Sequence, residues 1–146
     1  MTDLRELYQE TIFDHYRHPR NFGQMAGANH TAEGFNPMCG DKMTLYLNVE
    51  EGVIRDASFE GAGCAIATAS ASMMTESIKG KSKEDALQLL DKMHVMVTSG
   101  TATAGMGKLE VLAGVHEFPQ RVKCATLAWH TLRAALENAE APVTTE

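Results

Sequence analysis

Residues 42–60 read KMTLYLNVEEGVIRDASFE. Met43, Leu45, Leu47 and Val49 recur at every second position, with Lys42, Thr44, Tyr46 and Asn48 between them. A period of two places one set on each face of a β-strand. Glu50-Glu51-Gly52 is a turn, and Val53 to Glu60 returns with Val53, Ala57 and Phe59 on one face. The expectation is an antiparallel hairpin with one apolar side.

Upstream, His30 to Phe35 reads as a short edge strand, and Asn36-Pro37 forces a turn just before Cys39. Leu4, Leu7, Tyr8 and Ile12 recur at helical steps over Thr2 to Tyr16, capped by Thr2 or Asp3 and stopped by Pro19. Downstream, Gly61-Ala62-Gly63-Cys64 is expected to break the strand. Ala65 to Lys79 follows as a helix of small residues ended by Gly80, able to lie close against a neighbour. Ser82 and Asp85 resemble a capping box before a helix striped by Ala86, Leu89, Leu90 and Met93. Thr98 to Gly107 is loop, and Leu109 to Val115 supplies one or two helical turns. Pro119 opens a last helix carrying Val122, Ala125, Trp129, Leu132 and Leu136. Ala139 to Glu146 is expected to fray. The pattern is a single domain over 1–146 of the α+β class, with about three antiparallel strands in a small sheet and helices on one face.

Composition narrows the function. The chain has 146 residues, enough to bury a core, and its 44% hydrophobic and 22% charged content is that of a globular protein rather than a disordered one. With 13 Lys+Arg against 19 Asp+Glu, the net charge of −6 argues against a nucleic-acid partner. No apolar run is long enough for a membrane span, and MTDLRELYQE carries no apolar signal core, so a cytoplasmic protein is expected.

Three cysteines do not fit a disulfide framework. Each sits at a breakpoint: Cys39 in a loop, Cys64 between strand and helix, Cys124 in the second turn of the last helix. Cys39 and Asp41 flank Gly40 and point the same way if the strand entry is extended. Cys64 at a helix N-terminus feels a field that favours thiolate. With Cys124 the set has four donors, the number of a closed zinc site. Spacing alone leaves a metal site and three unrelated buried cysteines equally open. A thiolate-rich site needs cations nearby; the position of Arg121, three residues before Cys124, suits that role and a solvated surface charge equally, whereas Lys42 reads as a solvated charge. His30, His94, His116 and His130 share no short-range ligand spacing; for His15 and His18 a favourable contact with the helix dipole is reason enough.

Several linked motifs then resemble one family. They are His15-Tyr16-x-x-Pro19-Arg20-Asn21, Asn36-Pro37-x-Cys39-Gly40-Asp41, Gly63-Cys64-Ala65-Ile66 running to Thr75-Glu76, Lys79-Gly80-Lys81, and Lys123-Cys124-Ala125-Thr126-Leu127-Ala128-Trp129. Together, from Leu4 to Leu136, they resemble the SufU/IscU family of iron–sulfur cluster assembly proteins. The resemblance implies a SufE/NifU/IscU-like α+β fold and a metal site of Cys39, Asp41, Cys64 and Cys124. IscU-type members carry a histidine before the last cysteine, where this chain has Lys123. They also have a shorter stretch across roughly 93–118. Both differences resemble the SufU type.

A SufU-like member implies bound Zn²⁺ and a zinc-dependent sulfurtransferase role. Cys39 would accept persulfide sulfur from a SufS-like cysteine desulfurase for a downstream cluster scaffold, with Arg121 steadying the thiolate or persulfide. The alternative is a scaffold on which a [2Fe–2S] cluster is built from iron and sulfide. A purely structural zinc module is disfavoured by Asp41, a poorer closing ligand than Cys or His. A thiol hydrolase lacks a histidine placed to activate a cysteine.

Overall fold

The computed structural model describes residues 4–101, 105–138 and 142–144, with side chains from residue 9. Its elements run α1 (Leu4–Arg17), β1 (His30–Asn36), β2 (Asp41–Glu50), β3 (Val53–Ala62), α2 (Ala65–Ile78), α3 (Lys83–Ser99), a 3₁₀ segment (Gly107–Glu117), α4 (Pro119–Leu136) and β4 (Val143–Thr144).

The hairpin forms as its alternation requires: Met43, Leu45 and Leu47 are buried, while Thr44, Tyr46 and Asn48 are half-buried on the other face. The returning strand departs from expectation at one point. Asn48 pairs with Asp56 but Val49 pairs with Ile54, leaving Arg55 as an extra residue. This bulge inverts the alternation on its far side, so Ile54 is fully buried in place of the expected Val53. The strand also does not break at Gly61. It continues to Ala62, with Gly61 opposite Met43 at φ +150°, a conformation suited to glycine.

β1 is not a free edge. The sheet order is β3-β2-β1-β4, antiparallel through the first three strands. Val143 and Thr144, inside the stretch expected to fray, pair in parallel with Gly34 and Phe35. An open strand edge offers unpaired N–H and C=O groups, and the chain returning from α4 takes some of them. The rest of that tail, 139–141 and 145–146, lies outside the described residues, as do the expected caps Thr2 and Asp3.

Helices cover one face of the sheet, α4 across β1 and β2 and α2 across β3. Gly34 marks how close they come: a Cβ there would collide with Thr131 Oγ1 and meet Leu127 Cδ1 at 3.0 Å, both on α4. The small residues of α2 serve the expected purpose. Ala67, Ala69, Ser70, Ala71 and Ser72 are all buried, between α1, α4 and the sheet. Ser70 Oγ donates to the Ala125 carbonyl at 2.6 Å and accepts from Trp129 Nε1 at 3.1 Å, so a buried hydroxyl between two helices is fully bonded. Ser82 caps α3 by accepting from Asp85 N at 3.1 Å, and Gly100 closes it at φ 81°. Leu109, Leu112 and Val115 are buried at three-residue spacing, which lines up on one side of a 3₁₀ turn rather than an α-helix.

The first histidine needs correction. His15 is 1% exposed, with Nδ1 at 2.7 Å from Ser72 Oγ, and is not an end-of-helix dipole contact in solvent. Ser72 Oγ also accepts from Arg20 N at 2.9 Å, and Asn21 Nδ2 donates to Thr75 Oγ1 at 3.1 Å. The His15 to Asn21 motif therefore ties α1 and the following loop to α2. Burial, with the Arg20 charge, holds the His15 imidazole below its ordinary value of 6.5. The unfolded chain then binds the proton more readily than the native one. Stability contributed by neutral His15 is present above about pH 6.5 and is lost as pH falls below it. Urea midpoints are expected to drop between pH 7 and pH 5, with a shallower drop in His15→Asn; equal slopes would contradict the assignment.

Candidate functional site

Three elements deliver the cysteines to one end of the sheet. β1 and β2 are joined by the tight loop 37–40, in which Cys39 N donates to the Asn36 carbonyl at 3.3 Å. Gly40 turns the chain at φ 69°. The entry to β2 is thus a left-handed turn and not the extended segment expected, and the turn itself brings Cys39 and Asp41 together. Asp41 shares the phase of Met43, Leu45 and Leu47, so its carboxylate is buried on the core face at 2% exposure. Cys64 is the N-cap of α2 and accepts from Ala67 N at 3.4 Å. Cys124 enters from α4, buried.

Three of the four side chains converge. Among the described residues, Cys39, Asp41 and Cys124 present ligand atoms all within 4.8 Å of one another. Cys124 Sγ lies 3.3 Å from Cys39 Sγ. Cys64 lies beside this group, its Sγ 3.9 Å from Asp41 Oδ2. Asp41 is anchored by Cys64 N, which donates to Oδ1 at 2.8 Å. Gly63 leaves room for that carboxylate, because a Cβ there would meet Oδ1 at 2.9 Å.

The charges explain what such a cluster wants. The Cys124 contact and the N–H groups of Ala67 and Ile66 bring the Cys64 thiol down to about 7, against burial and Asp41. Cys124 is pushed up, by its hydrogen bond to Cys64, by burial, and by Cys39 and Asp41 beside it. A proton shared between the two thiols favours one thiolate and opposes the second. A divalent cation removes that opposition. Zn–S bonds of about 2.3 Å give tetrahedral sulfur–sulfur edges of about 3.8 Å, the scale of these separations. Three sulfurs and one carboxylate thus suit zinc in donor type, and the ligand atoms of Cys39, Asp41 and Cys124 suit it in spacing.

Arg121, in the first turn of α4, is exposed and its guanidinium lies 5.2 Å from the centre of the Phe118 ring. It shares with Cys39, Cys64 and Cys124 the lining of an open groove of about 440 Å³, whose far wall is Gln9, Ile12 and Phe13 of α1. Lys123 reaches Met38 Sδ at 3.6 Å beside the Cys39 loop. Lys42 is exposed on the other face of the sheet, as expected of a solvated charge. Two participants were not singled out from sequence. The α1 wall becomes visible only once His15 docks on Ser72. Asn36 is fully buried, and its Nδ2 donates to Asp41 Oδ2 at 3.1 Å and to Cys124 Sγ at 3.4 Å. Its signal was available: Ala32, Gly34 and Asn36 share one face of β1.

Among the described residues no helix is long and apolar enough to cross a membrane. The chain is 43% identical over 140 residues to the iron–sulfur cluster assembly scaffold protein IscU of Streptococcus pyogenes serotype M1, covering 94% of this chain and 87% of that protein. It is 40% identical over 141 residues to the zinc-dependent sulfurtransferase SufU of Bacillus subtilis, covering 94% and 95%. A crystal structure of a candidate scaffold protein for the SUF system from Fervidobacterium islandicum AW-1 matches with a TM-score of 0.84 at 36% identity, over 90% of this chain and 98% of that one. The family model of the NifU-like N-terminal domain matches residues 7–144. The chain therefore belongs to the NifU-like N-terminal domain family, that of the IscU and SufU iron–sulfur cluster assembly proteins.

Proposed function

We propose that this protein is a zinc-dependent sulfurtransferase of the SufU kind, taking persulfide sulfur from a SufS-like cysteine desulfurase at Cys39. Sulfur then passes to a downstream cluster scaffold. The observation that carries this reading is the asymmetry of the cluster: Cys39 is exposed at the groove, whereas Asp41 and Cys124 are buried behind it. A sulfur that must meet another protein's sulfur has to be reachable, and the others need only hold the site.

Cys39, Asp41, Cys64 and Cys124 would hold the ion. Zinc supplies a charge that keeps cysteines as thiolates at neutral pH without redox chemistry of its own. The Cys39 thiolate attacks the outer sulfur of the partner's persulfide. A new S–S bond forms at Cys39, the old one breaks, and the partner's cysteine leaves as thiolate with the persulfide proton retained on the transferred sulfur. No external oxidant or reductant enters. Arg121, on the groove wall, is the cation that would meet the anionic sulfur there.

A second reading, assembly of a [2Fe–2S] cluster on the same donors, is favoured by the donor set, which also suits iron, and by the scaffold function in the streptococcal relative's name. One experiment separates the two. The protein purified without added metal is exposed anaerobically to ferrous iron and sulfide, and bound zinc and iron are measured. About one zinc per chain, retained against iron, is expected of a closed four-donor site. Iron and sulfide displacing zinc and staying bound would sink the sulfurtransferase reading.

A further inference from the structure

The buried amide of Asn36 makes an arrangement that packing does not account for. Its residue ends β1 directly opposite Asp41 in the sheet register and is 0% exposed. Both Nδ2 bonds run to the cluster, 3.1 Å to Asp41 Oδ2 and 3.4 Å to Cys124 Sγ, and its backbone carbonyl holds the turn that carries Cys39. Its Oδ1 is buried with no hydrogen-bond partner among the described residues. A buried acceptor without a donor destabilises a fold. A leucine, with the same branching, would remove that orphan. The amide makes sense only through its donors, and both are aimed at groups that carry negative charge.

The three sulfurs are unequally covered as a result. Cys124 receives the Asn36 N–H, and Cys64 receives the Ala67 N–H at 3.4 Å. Cys39 Sγ meets Cys124 Sγ at 3.3 Å and receives no N–H from any described residue. An N–H donated to a thiolate draws charge off the sulfur and lowers its nucleophilicity, while fixing it in place as a ligand.

We propose that Asn36 is a positioning residue that quiets Cys124 and orients Asp41, and thereby leaves Cys39 as the sulfur that reacts. The inference rests on the sulfurtransferase reading for its purpose, although the shielding itself can be measured without a desulfurase.

The test compares the zinc-loaded protein with Asn36→Leu and with Asn36→Ser, the smaller variant that keeps one hydroxyl donor. Zinc release to a chelator is timed, and limited alkylation by iodoacetamide is mapped by mass spectrometry. The cobalt(II)-loaded forms report the charge on sulfur through their thiolate-to-metal absorption band. In the unsubstituted protein the label is expected on Cys39 alone. In Asn36→Leu, zinc release is expected to accelerate by about 10- to 100-fold, the usual effect of losing a hydrogen bond to a ligand. Cys124 is expected to be labelled as well, and the cobalt band to shift. Asn36→Ser is expected to fall between and serves if the leucine variant does not fold. Unchanged release rates and labelling of Cys39 alone in the folded variants would overturn the proposal.

Failure of the two readings is distinguishable. If a desulfurase leaves Cys39 unmodified while Asn36→Leu still uncovers Cys124, the sulfurtransferase reading falls and the shielding stands. If Cys39 accepts sulfur and Asn36→Leu changes neither measurement, the shielding falls and the sulfurtransferase reading stands.

Discussion

Serine at position 39 is expected to abolish sulfur acceptance outright while the protein stays folded. A serine hydroxyl cannot form the S–S bond that receives the sulfur, so the loss is of kind and not of degree. Cys39 is exposed in a four-residue loop, and its replacement removes little packing. Cys124→Ser and Cys64→Ser are expected to behave differently. Cys124 is 2% exposed and bonded to Asn36, and Cys64 caps α2. On the zinc reading, their loss uncouples elements that the ion would hold together. Metal-binding free energy at such a site is folding free energy, apparent values for structural zinc being about 10–16 kcal/mol at neutral pH. Both variants should lose zinc and melt at markedly lower temperature. Arg121→Ala, exposed and outside the donor set, should keep zinc and slow the transfer. The measurements are zinc per chain, melting temperature, and the mass gain of one sulfur after incubation with a cysteine desulfurase and cysteine. Persulfide still appearing on Cys39→Ser, or Cys124→Ser transferring with full zinc, would contradict the assignment.

The second large effect is expected at a residue outside the proposed donor set. Gly61→Ala should destabilise the fold by about 2–5 kcal/mol, the sum of a backbone conformation disfavoured for side chains and a forced overlap. The φ of +150° is one that L side chains rarely adopt. A Cβ there would overlap the Lys42 carbonyl oxygen and sit 2.8 Å from Met43 Cα, both backbone atoms of β2 that cannot rotate away. The β2–β3 pair must open at the point where Asp41 and Cys64 are placed on neighbouring strand ends. Against a total stability of about 5–15 kcal/mol, that is a large share. Urea unfolding would show a lower midpoint, and zinc retention should weaken in parallel. A midpoint within experimental error of the unsubstituted protein would show that the strand end relaxes freely.

Much of the architecture was legible because its signals are local. The alternation of Met43 to Val49, the Ser82 cap, the Pro119 start and the small residues of α2 each report on a few neighbouring positions, and each element stands close to where its residues put it. The family motifs likewise marked Cys39, Asp41, Cys64 and Cys124 before any geometry was available. Other features depend on residues far apart in the chain. Ile54 replaces Val53 in the core because Arg55 is squeezed out of register with β2, which residues 50–56 do not announce. His15 is buried because Ser72, 57 positions later, accepts it. Val143 and Thr144 form a strand because β1 has an edge to offer. Spacing left the cysteines undecided, since separations of 25 and 60 positions impose no distance; the turn at Gly40, the cap of α2 and the approach of α4 bring them to one end of the sheet. Asn36 belongs to the same class. Its place on the core face follows from the strand period, but what it donates to depends on where two other elements arrive. Short-range sterics and periodicity act within one element, while register, burial and partnered polar groups are properties of pairs of elements, and they exist only once the chain has packed.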